Sequence, residues 1–552
     1  VVLRFFVAFN RPLPTGPIVF IKLCAPLAED EHLIFPVPGF SPARKMLELC
    51  SHLGAYGWTG LFELSWKQEG MMRGKVLLGL LGWVLIVQVA GLSMRASWAG
   101  VNDTFGVGAK AGALGQAFTA YADDFSAVHY NPAGLLQMEG LNASAGLHVV
   151  NIDYEQKVTQ KDFTFGNDPE SGKSSENEDG VLFAPHGGIS YRPAGARWSI
   201  GYAAYAPFGT HIWFDDDDSN NRYDGAEVYN DRLIYAAPTV AYQILDNLSL
   251  GISLGMGYSD EGGKVRLRIP GIESRGPVSM LGLPPGTGYG LELGTLDFDL
   301  DDEFSLSANI GLLWQIRDWI TLGVTYRSES KSHMTGTSTF DYTPEARAAI
   351  GLLTGMDVPA EEEFDTHCDF RHPQSVSAGV KVDVTSKWRV MFDLVWTDWS
   401  VRKKETWSYD SDPIFLQLAA LVGSGEPTDR IITARDWNDT FEPHFGTEYQ
   451  ALDWLALRFG YHYRPSSIDQ ERWDNNWPII DYHVFSFGSG IKYRNFTIDL
   501  AYSLAHGDDW KVDHDESENL TQNQVVYSPY FGDEIDVETD IHNFMITVSC
   551  RF

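Results

Sequence analysis

Cysteine is scarce in this 552-residue chain, with four in all. Cys24 and Cys50 lie near its start, Cys368 and Cys550 far apart in its second half. That is too few for a disulfide framework, and no spacing suits a metal site. Basic residues are also in deficit: 41 Lys and Arg stand against 74 Asp and Glu, a formal net charge of -33. Such a balance excludes nucleic acid as a partner, because phosphate binding needs a basic surface. After Ala99 no apolar run is long enough for a membrane helix. A membrane location is then compatible only with a closed barrel, the other architecture that satisfies every backbone group in hydrocarbon.

Aromatic residues are plentiful, with 17 Trp, 24 Tyr and 31 Phe. From Met71 the chain reads MMRGKVLLGLLGWVLIVQVAGLSMRASWAG. Arg73 and Lys75 precede an apolar run from Val76 to Leu92, and Ser97 and Ala99 supply a small-residue cleavage site. Residues 71–99 are therefore expected to be a secretory signal peptide. The chain opens with Val, so translation is expected to start at Met71 or Met72. Residues 1–70 would then be an upstream extension absent from the mature protein.

Period-two alternation dominates the chain beyond Ala99. In 320–327 Ile320, Leu322, Val324 and Tyr326 share one face and Thr321, Gly323, Thr325 and Arg327 the other. In 375–384 Val376, Ala378, Val380, Val382 and Val384 oppose Ser375, Ser377, Gly379, Lys381 and Asp383. The run LALRFGYHYR (455–464) sets Leu455, Leu457, Phe459, Tyr461 and Tyr463 against Ala456, Arg458, Gly460, His462 and Arg464. These are strands with one apolar face.

The connections decide between a sandwich and a barrel. Short ones fall at 192–197, 245–247, 317–318, 385–387, 451–453 and 494–495, and long ones between them, at about 161–180, 207–231, 267–292, 340–371, 402–434, 465–480 and 506–535. Tight turns on one side and extended loops on the other characterise bacterial outer-membrane barrels, whose strand number is even. Fourteen strands are expected, over 141–552. Trp198, Trp319, Trp388, Trp454 and Phe496 stand at or just after short turns, as a periplasmic girdle requires. The ending FMITVSCRF puts Phe544, Ile546, Val548, Cys550 and Phe552 on one face, with Cys550 directed at lipid as a small hydrophobe.

Motifs for chemistry are weak. Gly251 to Gly255 match G-x-S-x-G, yet a nucleophile elbow needs a strand-to-helix turn, and this match sits inside the alternating run LSLGISLGMGY. No strand carries a Ser and His pair on its apolar face, so no catalytic residue and no cofactor is expected. Residues 216–227 place Asp216, Asp218, Asn220, Asp224 and Glu227 at calcium-loop positions, but Asn221 replaces the required Gly and strands would flank it. A solvated loop is the favoured reading, with no metal. Two long connections are apolar: 269–291, with Ile269, Ile272, Met280, Leu281 and Leu283, and 344–356, with Ile350, Leu352, Leu353 and Met356 on or beside a short helix. Such surface marks a ligand-binding site, with loop-on-loop packing as the alternative. Inside the barrel, Arg327, Arg458, His462, Arg464 and Arg551 could meet a ligand carboxylate, or form a structural network with Asp383 and Asp499.

One stretch invites a catalytic reading: ADDFSAVHYNPAGL, residues 122–135, with Asp123, Asp124 and His129 close together. It precedes the first strand, where a chain can fold into the lumen as a plug. There Asn131-Pro132 would break a helix and fix a turn, while Gly134 leaves room where the chain enters the wall, and with Ala133 these residues are expected to form the hatch or gate. The longer run GVGAKAGALGQAFTAYADDFSAVHYNPAGL (106–135) resembles the amino-terminal hatch of the FadL-type outer-membrane transporters (OMPP1/FadL/TodX) for long-chain fatty acids and aromatic hydrocarbons. TYRS (325–328), FDLVWTDWS (392–400), WNDTFEPHFGTEY (437–449) and LALRFGYHYRPS (455–466) are similar to that family's recurring strand segments.

The resemblance spans nearly all of 100–552 and implies an all-β, 14-stranded antiparallel transmembrane β-barrel with a hatch at 100–140, in the bacterial outer membrane. It implies passive uptake of hydrophobic small molecules by a monomer in contact with outer-membrane lipid and lipopolysaccharide. Ligand would be captured between the third and fourth long loops, pass into the lumen, and leave sideways past the third strand, with Gly201 and Pro207 as sources of irregularity. A related secretion-accessory or structural barrel that transports no small molecule is the alternative.

Overall fold

The computed structural model describes residues 106–161, 171–178, 180–214, 227–268, 292–421, 427–474, 477–513, 516–519 and 533–552. Fourteen antiparallel strands form its wall. β1 (Gly140–Gln160), β2 (Leu182–Arg192), β3 (Trp198–Trp213) and β5 (Leu248–Arg268) are continuous, as is the 26-residue β6 (Glu292–Arg317). β4 consists of Glu227–Ala236 and Thr239–Leu245, interrupted at Pro238. Four further strands are also in two pieces: β7 (Ile320–Arg327, Ser330–Tyr342), β8 (Glu361–His372, Ser375–Asp383), β9 (Trp388–Thr397, Lys404–Tyr409) and β10 (Arg430–Ala434, Thr440–Leu452). β11 (Leu455–Arg464), β12 (Tyr482–Tyr493), β13 (Phe496–Gly507) and β14 (Asp533–Arg551) complete the wall. Each pairs with its neighbours over at least part of its length, and β14 pairs with β1 from Arg551↔Asn142 to Asp533↔Gln160, so the sheet closes into a barrel.

Lipid-facing positions are recognisable by exposure. Ile310, Leu312, Val324, Phe392, Leu394, Phe487, Phe544 and Ile546 are exposed apolar residues at alternate positions of their strands. The girdle aromatics are exposed as well: Trp198 44%, Trp319 54%, Trp388 43%, Trp454 51% and Phe496 46%. Cys550 lies opposite Phe496 and Ala143 in the pairing, which gives it the outward register, yet it is only 7% exposed. A small side chain on that face is covered by its neighbours.

Several connections expected to be long loops are mostly ordered wall. Residues 340–371 hold the end of β7, helix α3 (Pro344–Thr354) and most of β8, and 402–434 hold the second half of β9, helix α4 (Ile414–Leu421) and the first piece of β10. α3 starts as its sequence directs: the Thr343 hydroxyl accepts from the Ala346 N–H at 3.1 Å, Pro344 opens the first turn, and Gly355 closes the helix at φ 73°.

The wall reverses its polarity where it leaves the membrane. Low on β6, Leu306, Ile310 and Leu312 point outward; higher up, Leu296, Phe298 and Leu300 are buried while Asp297 and Asp299 are exposed. The apolar residues in both sets have even numbers, so the strand must switch faces between them. It does so where the pairing with β5 slips between Gly257 and Ser259, opposite Ser305 and Asp302. The breaks at 328–329 in β7 and 373–374 in β8 act alike, so that Met334, Phe340, Phe364 and Phe370 turn inward above Val324 and Tyr326. Below the breaks apolar side chains meet lipid; above them they meet a protein core.

Three regions fill the lumen in turn. The hatch, 106–139, occupies the periplasmic half with short helices α1 (Ala109–Ala113) and α2 (Ala127–Tyr130) and a 3-10 turn, Pro132–Gln137. The extracellular half is packed by an aromatic-rich core that includes Trp399, Trp437, Trp473, Trp477, Phe370 and Ile480. A separate apolar cluster joins α3 and α4 to the upper parts of β5 to β9.

Candidate functional site

Asp123, Asp124 and His129 do not converge. Asp123 pairs with Lys110 at 2.6 Å, Asp124 accepts from the Ser126 N–H at 2.8 Å, and His129 Nε2 lies 3.1 Å from Arg327 Nη2. A guanidinium only donates, so that imidazole nitrogen accepts and the ring is neutral. Each acid is spent on holding the hatch's own shape.

The next residues seat the hatch on the wall. Asn131 is fully buried; its amide donates to Thr119 O (2.8 Å) and to Leu312 O of β6 (3.0 Å), and its carbonyl oxygen accepts from Ala133 N (3.1 Å). Pro132 then opens the 3-10 turn. Gly134 leaves room not for the wall but for the hatch itself, because a Cβ there would stand 2.0 Å from Ala122 O. From the wall, Asn309 donates to Val128 O and His129 O at 3.0 and 2.6 Å, and Thr325 to Tyr130 O at 2.9 Å. Asp393 accepts from Thr119 N at 2.7 Å. Replacing Asn131 with alanine leaves buried carbonyls without their donor, at about 1–3 kcal/mol each. The expected result is faster proteolysis of 106–139 with no change in barrel melting.

Above the hatch lies a cavity of about 140 Å³. Gln116, Thr119, His129 and Tyr130 form its floor, Tyr205, Pro207, Arg232, Ile234, Asn309 and Arg327 part of its side, and Trp399, Ile479 and Tyr482 its boundary with the aromatic core. Of the interior bases expected at a ligand, Arg327 and Arg464 line it. Arg458 does not: it is held between Glu448 and Asp499, 2.7 Å from each. That is the structural network weighed as its alternative. His462 is displaced from the cavity by His444, on which it stacks at 4.7 Å. Arg551 sits at the rim, 3.7 Å from Glu139, with its side chain 60% exposed.

Sequence reasoning missed Arg232. Its stretch runs Asn230–Ile234 with five consecutive buried residues, because pairing slips on both sides of it, between Tyr205 and Phe208 and between Ile234 and Ala236. A search for alternation reads such a run as loop.

Those slips also mark an interruption in the wall. β2 and β3 pair only from Tyr191↔Ile200 to Gly187↔Ala204. Beyond, the outer part of β3 pairs with β4 and that of β2 with β1, until Glu178 N meets Trp213 O at 2.9 Å. Pro185 and Pro207 flank the interruption, and neither has an N–H to give a ladder. Ala184, Ala206 and Leu233 pack there. Phe125 of the hatch stacks on His186, one residue beyond the last β2–β3 pair, at 5.5 Å. Gly201 lies lower, where a Cβ would meet Leu135 of the hatch at 2.7 Å.

On the extracellular side, Ile269, Ile272, Met280, Leu281 and Leu283 lie outside the described residues, as do residues 215–226 of the acidic segment. Ile350 is buried and Met356 partly so, both in the apolar cluster with Phe340 and Phe415, whereas Leu352 is 87% exposed. The backbone of Leu353 lies in the last turn of α3. α4, not expected from the sequence, stacks Phe415 on Phe340 at 4.8 Å; Asp412-Pro413 ahead of IFLQLAAL was its available signal. In the aromatic core the Arg402 guanidinium lies 4.0 Å from the ring centres of Phe370 and Trp437 and 3.0 Å from Glu405. Burial opposes the charge on the nearby Arg435, but Asp474 and Glu405 outweigh it and raise its pKa.

Comparison with known proteins bears on this architecture. Residues 95–552 match the family model for outer membrane protein transport proteins (OMPP1/FadL/TodX). A protein of Neisseria meningitidis serogroup B described as an outer membrane protein is 24% identical over 405 residues, 71% of this chain and 83% of that one. A FadL homologue of Pseudomonas aeruginosa shares the fold at TM-score 0.64 and 17% identity, over 83% of this chain and all of the other. The toluene transporter TbuX of Ralstonia pickettii does so at 0.55 and 19%, over 81% and 98%. The chain is an outer-membrane β-barrel that belongs to the OMPP1/FadL/TodX family of outer membrane transport proteins.

Proposed function

We propose that the protein takes up hydrophobic small molecules passively, through a lumen cavity and a lateral exit between β2 and β3. The observation that carries this reading is the loss of β2–β3 pairing beyond Gly187 and Ala204, beside Pro207, which also lines the cavity. A molecule leaving there passes small apolar side chains, Ala184 and Ala206, and reaches lipid without crossing the polar hatch. Capture is assigned to the apolar surface around α3 and α4, where Leu352 is exposed. Movement of the Phe125 segment off His186 would open the way from the cavity to the exit. Two solved relatives are named as toluene transporters, and the family is one of transport proteins, so no enzymatic role is proposed.

The test is a crosslink. Ala184→Cys with Ala206→Cys, joined by a short bis-maleimide, is expected to lower uptake of labelled toluene and oleate to the empty-vector level in a transporter-deficient outer membrane, while binding to the purified protein is retained. Uptake at the parent rate after complete crosslinking would exclude this exit.

A further inference from the structure

We propose that the lumen cavity is a site for a compact arene carboxylate, one aromatic ring bearing an anionic group, in preference to a long alkyl chain or a neutral hydrocarbon. The proposal rests on the reading of this cavity as a station on the uptake route.

Size is the first argument. The cavity measures about 140 Å³, and a protein cavity of about 150 Å³ accepts a benzene ring. Among the described residues, Trp437, Trp473 and Ile480 pack the lumen above it at no more than 1% exposure, which leaves a long chain little room to continue outward. Below it stands the hatch.

Charge is the second. Arg232 and Arg327 both line the cavity, and among the described residues neither has a carboxylate in ion-pair contact. Arg464 differs, lying 3.3 Å from Glu442. Arg232 is 6% exposed; its Nη2 donates to Ser330 Oγ at 2.7 Å, and its Nε has no acceptor. A guanidinium shielded from water and left without a counter-ion is unfavourable, and a ligand carboxylate at this place would relieve it. The hydrophobic part of the ligand has its own walls in Tyr205, Ile234 and Trp399. A neutral hydrocarbon would fill the space and leave both cations unanswered; a fatty acid would answer them but would have to displace the aromatic core.

Binding to the purified full-length protein in detergent, by calorimetry, tests this with benzoate, benzamide, toluene and oleate. Benzoate is expected to bind at least about tenfold more tightly than benzamide, its uncharged isostere, and than toluene, since charge-assisted hydrogen bonds are the stronger ones. Arg232→Met and Arg327→Met should each reduce benzoate affinity about tenfold or more and remove its advantage over benzamide. The benzamide comparison uses the unaltered protein, so it stands even if a variant fails to fold. Benzamide or oleate binding as tightly as benzoate would overturn the proposal. Uptake of toluene and benzoate is measured separately. Selective benzoate binding with no uptake of either compound would refute the transport reading and leave this site assigned; uptake without benzoate selectivity in binding would do the reverse.

Discussion

Gly460→Val is expected to push the hatch off the wall and expose residues 106–139 to protease. A Cβ at position 460 would lie 2.0 Å from Gly115 N and 2.2 Å from Leu114 C. Both are backbone atoms, so no flexible side chain can give way. Gly115 itself is at φ +58°, a left-handed turn with little freedom to move elsewhere. The same close approach recurs around the wall: Gly446, paired with Gly460, faces Leu114 O, and Gly251, paired with Gly311, faces Ala133 N. Overpacking costs about 1–3 kcal/mol where atoms can relax, and here the hatch is the part free to relax. Proteolysis of 106–139 in the folded barrel should become markedly faster, while the aromatic core above keeps the lumen closed. Gly180→Val, at a site with nothing within 4 Å, should leave the rate unaltered. A folded Gly460→Val barrel whose hatch is cleaved no faster than its parent's would show that this contact does not seat the hatch.

Arg458→Met is expected to cost about 3–5 kcal/mol of stability, because it strands the buried Asp499 and leaves Glu448 only Arg389, 3.3 Å away, as an ion-pair partner among the described residues. Glu448 and Asp499 each lie 2.7 Å from Arg458, and all three are largely buried. Glu448 also accepts from the Tyr121 hydroxyl at 2.8 Å, so the loss reaches the hatch. Denaturant unfolding in detergent measures it. Adding Glu448→Gln and Asp499→Asn should restore much of the stability, since removing a whole buried ionic set is often near neutral. Ligand affinity of the folded fraction should not change, as Arg458 is absent from the cavity lining. A fall in affinity with stability intact would reinstate Arg458 as a ligand partner.

The barrel was legible because lipid imposes a simple rule on its outer face. Period two in 320–327 and 455–464, the aromatic residues after each short turn, and the terminal FMITVSCRF all report that one face contacts hydrocarbon. The interior is less legible. Arg327 and Arg458 occupy equivalent inward positions in equally clean strands, yet one meets a neutral imidazole at the cavity and the other two carboxylates. Those partners lie on other strands and on the hatch, at separations no local pattern encodes. Arg232 was hidden altogether by the irregular pairing that places it in the cavity.

Strand number, the outward register below the pairing breaks and the position of the hatch ahead of the first strand were thus written in the chain. Which side the apolar residues take above the membrane was not. Leu300 and Leu312 of β6 are the same residue type at the same parity, one buried inside and one exposed outside. Alternation states only that a strand has two unlike faces. Whether the apolar one turns outward or inward depends on the medium at that height, lipid or water. The slip opposite Gly257 and Ser259 that reverses it exists only in the pairing of two strands.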